Sequence, residues 1–230
     1  MKERTKNKLA VIIGWILLIT LILSVGYAVI RCIMAPSEIE EGQPFEKLKS
    51  DYILMILQCS LGIVVMMLPT FLSHKWKVVV PNTVVILYYI FLYCAIYLGE
   101  VQNFYFVIPY WDTILHAFSG AMLGALGFIL VDLLNKDQKV HVNLSPFFIS
   151  LFAFCFALAV GAIWEIYEFS FDALLGLNMQ KHTTETGAAL VGPAALADTM
   201  KDIIVDALAA LAVSIIGGIT AEKRKKQSTP

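Results

Sequence analysis

The sequence predicts an all-α membrane bundle of six transmembrane helices with both termini cytoplasmic. Three observations carry that expectation. The 230-residue chain is 59% hydrophobic with a mean hydropathy of +0.76, which is more apolar surface than a soluble domain of this size can bury. Its apolar residues gather in six long runs, at 9–30, 52–73, 78–99, 113–131, 146–164 and 203–221. Finally, twelve of the 17 Lys and Arg fall in the N-terminal tail, 74–77, 135–145 and the C-terminal tail. That bias assigns those segments to the cytoplasm. The expected setting is therefore a cell membrane, crossed several times by one integral domain, residues 1–230.

The first run follows Lys2, Arg4, Lys6 and Lys8 and has no charge from Leu9 to Ile30. At 1.5 Å per residue it reaches about 33 Å, enough to cross a bilayer. It is too long for a signal-peptide core, and no A-x-A site follows it. The segment Ser37-Glu38-Ile39-Glu40-Glu41-Gly42-Gln43-Pro44 reads as an acidic outer loop. Pro69 and Pro81 fall near the ends of the second and third spans, where proline costs little. In the fourth span Gly120, Gly124 and Gly127 accompany Ala117, Ala121 and Ala125. Small residues at this spacing permit close helix approach, so this span is expected at the centre of the bundle, with homodimerisation through the same face as the alternative. The segment 173–197 is expected as an outer loop, too apolar at Ala188-Ala189-Leu190-Val191 for a free linker. Cys32, Cys59, Cys94 and Cys155 form no CxxC pair and read as small packing residues. Nothing in the charge pattern points to nucleic acid.

The ionisable residues concentrate at one side. The uncharged stretch Pro146 to Ile163 runs into Trp164-Glu165-Ile166-Tyr167-Glu168-Phe169-Ser170-Phe171-Asp172. Glu165, Glu168 and Asp172 are spaced three and four apart and share a helical face. Asp112 and His116, at i and i+4, share a face of the fourth span, and Asp198, Asp202 and Asp206 share one that enters the sixth. Glu100 closes the third span on the same side. Caps and headgroup contacts account for Asp112, Asp198, Glu100 and Asp172 individually. They do not account for His116, Glu165, Asp202 and Asp206 inside the spans, where ionisable groups are functional by default. So much negative charge in low dielectric requires protons or a cation. The expected metal ligands are Asp112, His116, Glu165, Glu168, Asp198, Asp202 and Asp206, around a divalent metal ion; oxygen donors with one imidazole suit Mg, Mn, Zn, Fe or Ca. Trp164 and Tyr167 stand where they could hydrogen-bond or shield the carboxylates.

Three blocks, Trp111-Asp112-Thr113-Ile114-Leu115-His116, Trp164-Glu165-Ile166-Tyr167-Glu168-Phe169 and Asp198-Thr199-Met200-Lys201-Asp202-Ile203-Ile204-Val205-Asp206, resemble in order the motifs of the YjdF-like family of bacterial inner-membrane proteins. Gly176-Leu177-Asn178-Met179-Gln180 resembles a Gly-x-x-x-Gln element of that family's last outer loop. Ala209-Ala210 departs from a Gly-Ala step common there. The Asp-x-x-x-His helix is also distantly similar to VanZ-like proteins. The resemblance implies polar residues grouped within the membrane and brings no established reaction with it.

Two functions of different kind fit these residues. The first is a metal-dependent hydrolase or transferase acting on a lipid or lipid-linked substrate, with Glu165 and Asp202 as catalytic carboxylates. No G-x-S-G step, HExxH motif or arginine-rich phosphate signature accompanies them. The second is a metal-ion or proton-coupled transporter with Asp206 as its deepest station. The inner halves of the spans hold few polar groups, among them Asn82, Thr83 and Ser214, which favours a one-sided site. A membrane interaction module without chemistry is the third alternative.

Overall fold

The computed structural model describes residues 2–37, 47–75, 80–136, 144–184 and 188–228. Among these residues the chain is helical, with no strand beyond an isolated bridge between Thr183 and Ala189. Its elements are α1 (Lys2–Met34), α2 (Lys49–Val65), α3 (Leu68–Lys75), α4 (Asn82–Leu92) continuing as a π-helical stretch over Tyr93–Val101, α5 (Phe104–Val107), α6 (Trp111–Lys136), α7 (Pro146–Leu175) and α8 (Pro193–Ser228). Six helical stretches, at 8–34, 49–75, 82–101, 111–134, 146–175 and 193–223, are long and apolar enough to cross a membrane. Of the acidic segment Ser37–Pro44, residues 38–44 lie outside the described residues.

Helix and apolar run are not coextensive. α8 starts at Pro193, ten residues before its apolar run, because Pro-Ala-Ala-Leu-Ala-Asp-Thr-Met-Lys-Asp is polar in places but strongly helix-forming. Proline fits its first position, where an amide would have no partner. α7 likewise runs to Leu175 and stops at Gly176, whose φ of +63° is the left-handed conformation of a helix end. The connection from α7 to α8 is therefore 176–192, shorter than the 173–197 expected.

The chain packs as two compact units, Met1–Trp111 with Asp172–Asn178 and Thr183–Ala189, and Asp112–Phe171 with Met179–His182 and Leu190–Pro230. In the first unit, α1 buries Leu17, Leu21, Ser24 and Ala28, and α2 buries Tyr52, Met55, Cys59 and Gly62. Both sets follow the three-and-four spacing of one helical face. Gly62 brings the chains close: a Cβ there would lie 3.2 Å from Leu21 Cδ1 and would overlap Ile96. The opposite face of α1 leaves Ile12, Trp15, Ile16, Leu23 and Ile30 half exposed or more. A continuous apolar surface of this kind is matched by lipid, not water.

Pro69 lies six residues from the end of its span, in the first turn of α3. It has no amide hydrogen to give the carbonyl of Val65 four residues earlier, so α2 ends and α3 begins after a turn at Met66–Met67. The Tyr88 hydroxyl donates to that carbonyl at 2.8 Å. Tyr88→Phe should therefore destabilise the protein by about 1 kcal/mol through the loss of this half-buried hydrogen bond, seen as a lower melting midpoint in detergent. An unchanged midpoint would mean the carbonyl finds another donor.

In the second unit, α6 meets both α7 and α8 through its glycines. A Cβ at Gly127 would stand 2.6 Å from Ala153 Cα of α7, and one at Gly124 would stand 3.4 Å from Ala210 Cα of α8. At Gly120 the approach is as close, with a Cβ 2.6 Å from the Asp206 carbonyl oxygen and 2.9 Å from its Cα. Such proximity needs a residue without a side chain. Gly161 of α7 completes the enclosure, since a Cβ there would fall 2.7 Å from Asp206 Oδ2.

Candidate functional site

Asp206 is thus lodged between α6 and α7 by two glycines and is only 2% exposed. Its two oxygens are both engaged. Oδ2 lies 3.1 Å from His116 Nδ1, and Oδ1 accepts a hydrogen bond from Ser119 Oγ at 3.0 Å. Ser119 is one turn beyond His116 on α6, and its oxygen also lies 2.9 Å from the His116 carbonyl, a helix-compatible back-bond. Three polar groups from α6 and α8 therefore fix one another.

The other imidazole nitrogen looks the opposite way. His116 Nε2 is 3.8 Å from Asp112 Oδ1 and 3.9 Å from Glu165 Oε1. Asp112, His116 and Asp202 each offer one ligand atom, and these three atoms lie within 4.8 Å of one another. Glu165 and Asp202 are 4% and 3% exposed, yet Glu165 Oε1 and Asp202 Oδ1 have no hydrogen-bond partner among the described residues. A buried carboxylate oxygen without a partner is costly, more so beside others of like charge. Asp112 itself is half-buried, in the first turn of α6.

Asp112, His116, Glu165, Asp202 and Asp206 are brought together. Glu168 stands one turn beyond Glu165, half-buried, and accepts a hydrogen bond from the Trp164 indole at 2.9 Å. Asp198 is half-buried one turn before Asp202; because α8 begins at Pro193, it is not the helix cap its position in the sequence allowed. Lys181 lies within electrostatic reach of both Glu168 and Asp198. Glu100 and Asp172 are buried in the first unit. Ser119 and Thr199 are site residues that the charge pattern does not reveal. A periodic signal exists for Thr199, which precedes Asp202 and Asp206 by three and seven positions and so shares their face.

Fold and site together define a polytopic helical membrane protein with a buried carboxylate–histidine cluster. The chain matches the family of predicted membrane proteins designated DUF2238 over residues 15–223 and belongs to that family. It is also similar to an uncharacterised protein of Thermotoga maritima, with 32% identity over 111 residues. That match takes in 48% of this chain and 49% of the other, so the chain spans about half the length of this curated relative. No solved structure matches the chain. The distant likeness to VanZ-like proteins finds no support in these matches.

Proposed function

We propose that Asp112, His116, Glu165 and Asp202 hold a divalent cation, and that the protein is a metal-dependent hydrolase or transferase for a lipid or lipid-linked substrate. The observation behind this reading is the pair of partnerless buried oxygens, Glu165 Oε1 and Asp202 Oδ1, beside a histidine whose far nitrogen is already held by Asp206. A ligating imidazole ordinarily donates its other N–H to a carboxylate, which sets tautomer and ring orientation. Asp206 fits that supporting role better than the ligand role its spacing implied. The donors stand slightly apart, at 3.8 and 3.9 Å from Nε2. Neighbouring donors around a small octahedral cation are about 3 Å apart, so the side chains close inward by less than their own length. One imidazole among carboxylates favours Mn, Fe or Zn over Ca and Mg.

A cation here supplies Lewis-acid polarisation of a phosphoryl or acyl oxygen. Whichever of Glu165 and Asp202 is left off the cation accepts the proton of an attacking hydroxyl or water. Trp164 steadies Glu168, and Glu168 and Asp198 enlarge the negative field that draws a cation in. The charge bias of the tails and loops supports cytoplasmic termini, which turns this end of the second unit toward the outer leaflet. The likeness to YjdF-like proteins is part of the same proposal.

Detergent-purified protein should carry about one equivalent of a transition metal by elemental analysis. His116→Ala and Glu165→Gln should each lose most of it while eluting as the same species. Substoichiometric metal in all three proteins removes the proposal and favours an interaction module, and metal uptake by proteoliposomes along a gradient favours transport.

A further inference from the structure

A cleft lies between α7 and α8 in the second unit, at the end of these helices away from the carboxylate–histidine cluster. Its volume is about 320 Å³, within the range of ligand sites. Phe147, Leu151, Phe154, Leu211 and Ile215 give it an apolar lining, and Glu222 stands at one end. The hydroxyls that border it are withdrawn. Ser150 Oγ donates to the Pro146 carbonyl at 2.9 Å, and Ser214 is only 2% exposed. Such a cavity offers water few of the polar partners it needs. Phe147 is 76% exposed, Leu151 45%, Leu211 42% and Ile215 53%. The cleft therefore opens on an apolar outer surface, on two helices long and apolar enough to cross a membrane. Its depth matches one leaflet. At about 1.5 Å per residue, Pro146 to Phe154 covers about 12 Å and Glu222 to Leu211 about 16 Å. Half of a hydrocarbon core of about 30 Å is about 15 Å.

Charge marks the shallow end. α8 continues past Glu222 with Lys223-Arg224-Lys225-Lys226, so four formal positive charges there outweigh one negative. α7 begins at the same end, at Pro146, and the start of a helix carries partial positive charge. We propose that this cleft binds one acyl chain of an anionic phospholipid, with its phosphate at the basic end of α8. The chain supplies the apolar contacts that the lining lacks on its outer side. The net negative headgroup supplies the partner for the basic run. A phospholipid without net charge fills the cleft with the same chain but gains less from that run, so selectivity lies in the headgroup. The site is separate from the cluster and does not depend on the metal-centre reading.

Native mass spectrometry of the full-length protein in detergent, titrated with phosphatidylglycerol or phosphatidylethanolamine of matched chains, tests the site. Phosphatidylglycerol should bind about tenfold or more tighter, since each basic residue near an anionic headgroup contributes about fivefold. Leu151→Trp fills the cleft from its exposed rim and should weaken phosphatidylglycerol binding about tenfold or more. Lys223→Gln, Arg224→Gln, Lys225→Gln and Lys226→Gln together should bring phosphatidylglycerol down to the affinity of phosphatidylethanolamine and leave the latter unchanged. Ile215→Trp, also at the rim, decides the matter if Leu151→Trp does not fold. Equal affinity of the wild type for the two lipids overturns the proposal. Phosphatidylglycerol binding as tight as wild type in a folded tryptophan variant overturns it as well.

Discussion

Gly120→Leu is expected to abolish metal binding and to lower the melting midpoint by about 10 °C, a loss of about 3 kcal/mol or more. A Cβ at Gly120 would meet Asp206 backbone atoms at 2.6 and 2.9 Å. Backbone cannot swing aside as a side-chain end can, so α6 and α8 must separate. Separation draws Asp206 away from His116 and Ser119, which it holds at 3.1 and 3.0 Å. Stability and site are therefore lost together. Gly26→Ala is the control: a Cβ there meets nothing within 4 Å, and alanine in a helix interior is favoured over glycine by about 0.5–1 kcal/mol. It should leave metal content unchanged and raise the midpoint slightly. A Gly120→Leu protein that melts and binds metal like wild type would show that α6 and α8 do not meet at this residue.

The contrast between these glycines shows how far the sequence could be read. The small-residue spacing of Gly120, Gly124 and Gly127 was visible, and so was the expectation of close approach. Which helix each one meets was not, since a stripe of glycines records that something comes near and not what. Gly120 and Gly124 face Asp206 and Ala210 at the same four-residue interval, whereas Gly127 faces Ala153 on the other neighbour. The acidic residues divide in a similar way. Glu165, Glu168 and Asp172 share one helical face by spacing, yet Glu165 enters the cluster, Glu168 is held at its edge by Trp164, and Asp172 is buried in the other unit. Spacing fixes direction around an axis; depth and neighbours depend on packing. The π-helical stretch at Tyr93–Val101 was beyond reach for a related reason, because its composition is that of any apolar helix and only the hydrogen-bond register distinguishes it. An apolar run does not mark a helix end wherever polar but helix-forming residues extend it, as at Pro193–Asp202. Charged residues inside apolar runs were easily recognised; their roles were not, because a supporting carboxylate and a ligating one are the same residue type.

Asp206→Asn separates those two roles. Asparagine has nearly the shape of aspartate, so the space bounded by Gly120 and Gly161 stays filled and the protein should fold. The amide oxygen can still accept from His116 Nδ1, and the Ser119 hydroxyl can fall back on the His116 carbonyl, already 2.9 Å away. What is lost is the negative charge that makes the imidazole a stronger donor of electrons at Nε2. Metal affinity should therefore fall by about 10–100-fold, the range for a residue that orients a ligand, with the melting midpoint of the metal-free protein little changed. Asp206→Ala should do more, because it empties a closely packed space and leaves both His116 Nδ1 and Ser119 Oγ without their carboxylate, at a cost of about 2–5 kcal/mol. Comparison with His116→Ala completes the argument. If Asp206→Asn removes metal as completely as His116→Ala does, Asp206 is itself a ligand and the imidazole turns its other nitrogen to the cation. If it weakens binding and spares stoichiometry at saturation, the carboxylate acts through the histidine, as the 3.1 Å contact to Nδ1 indicates.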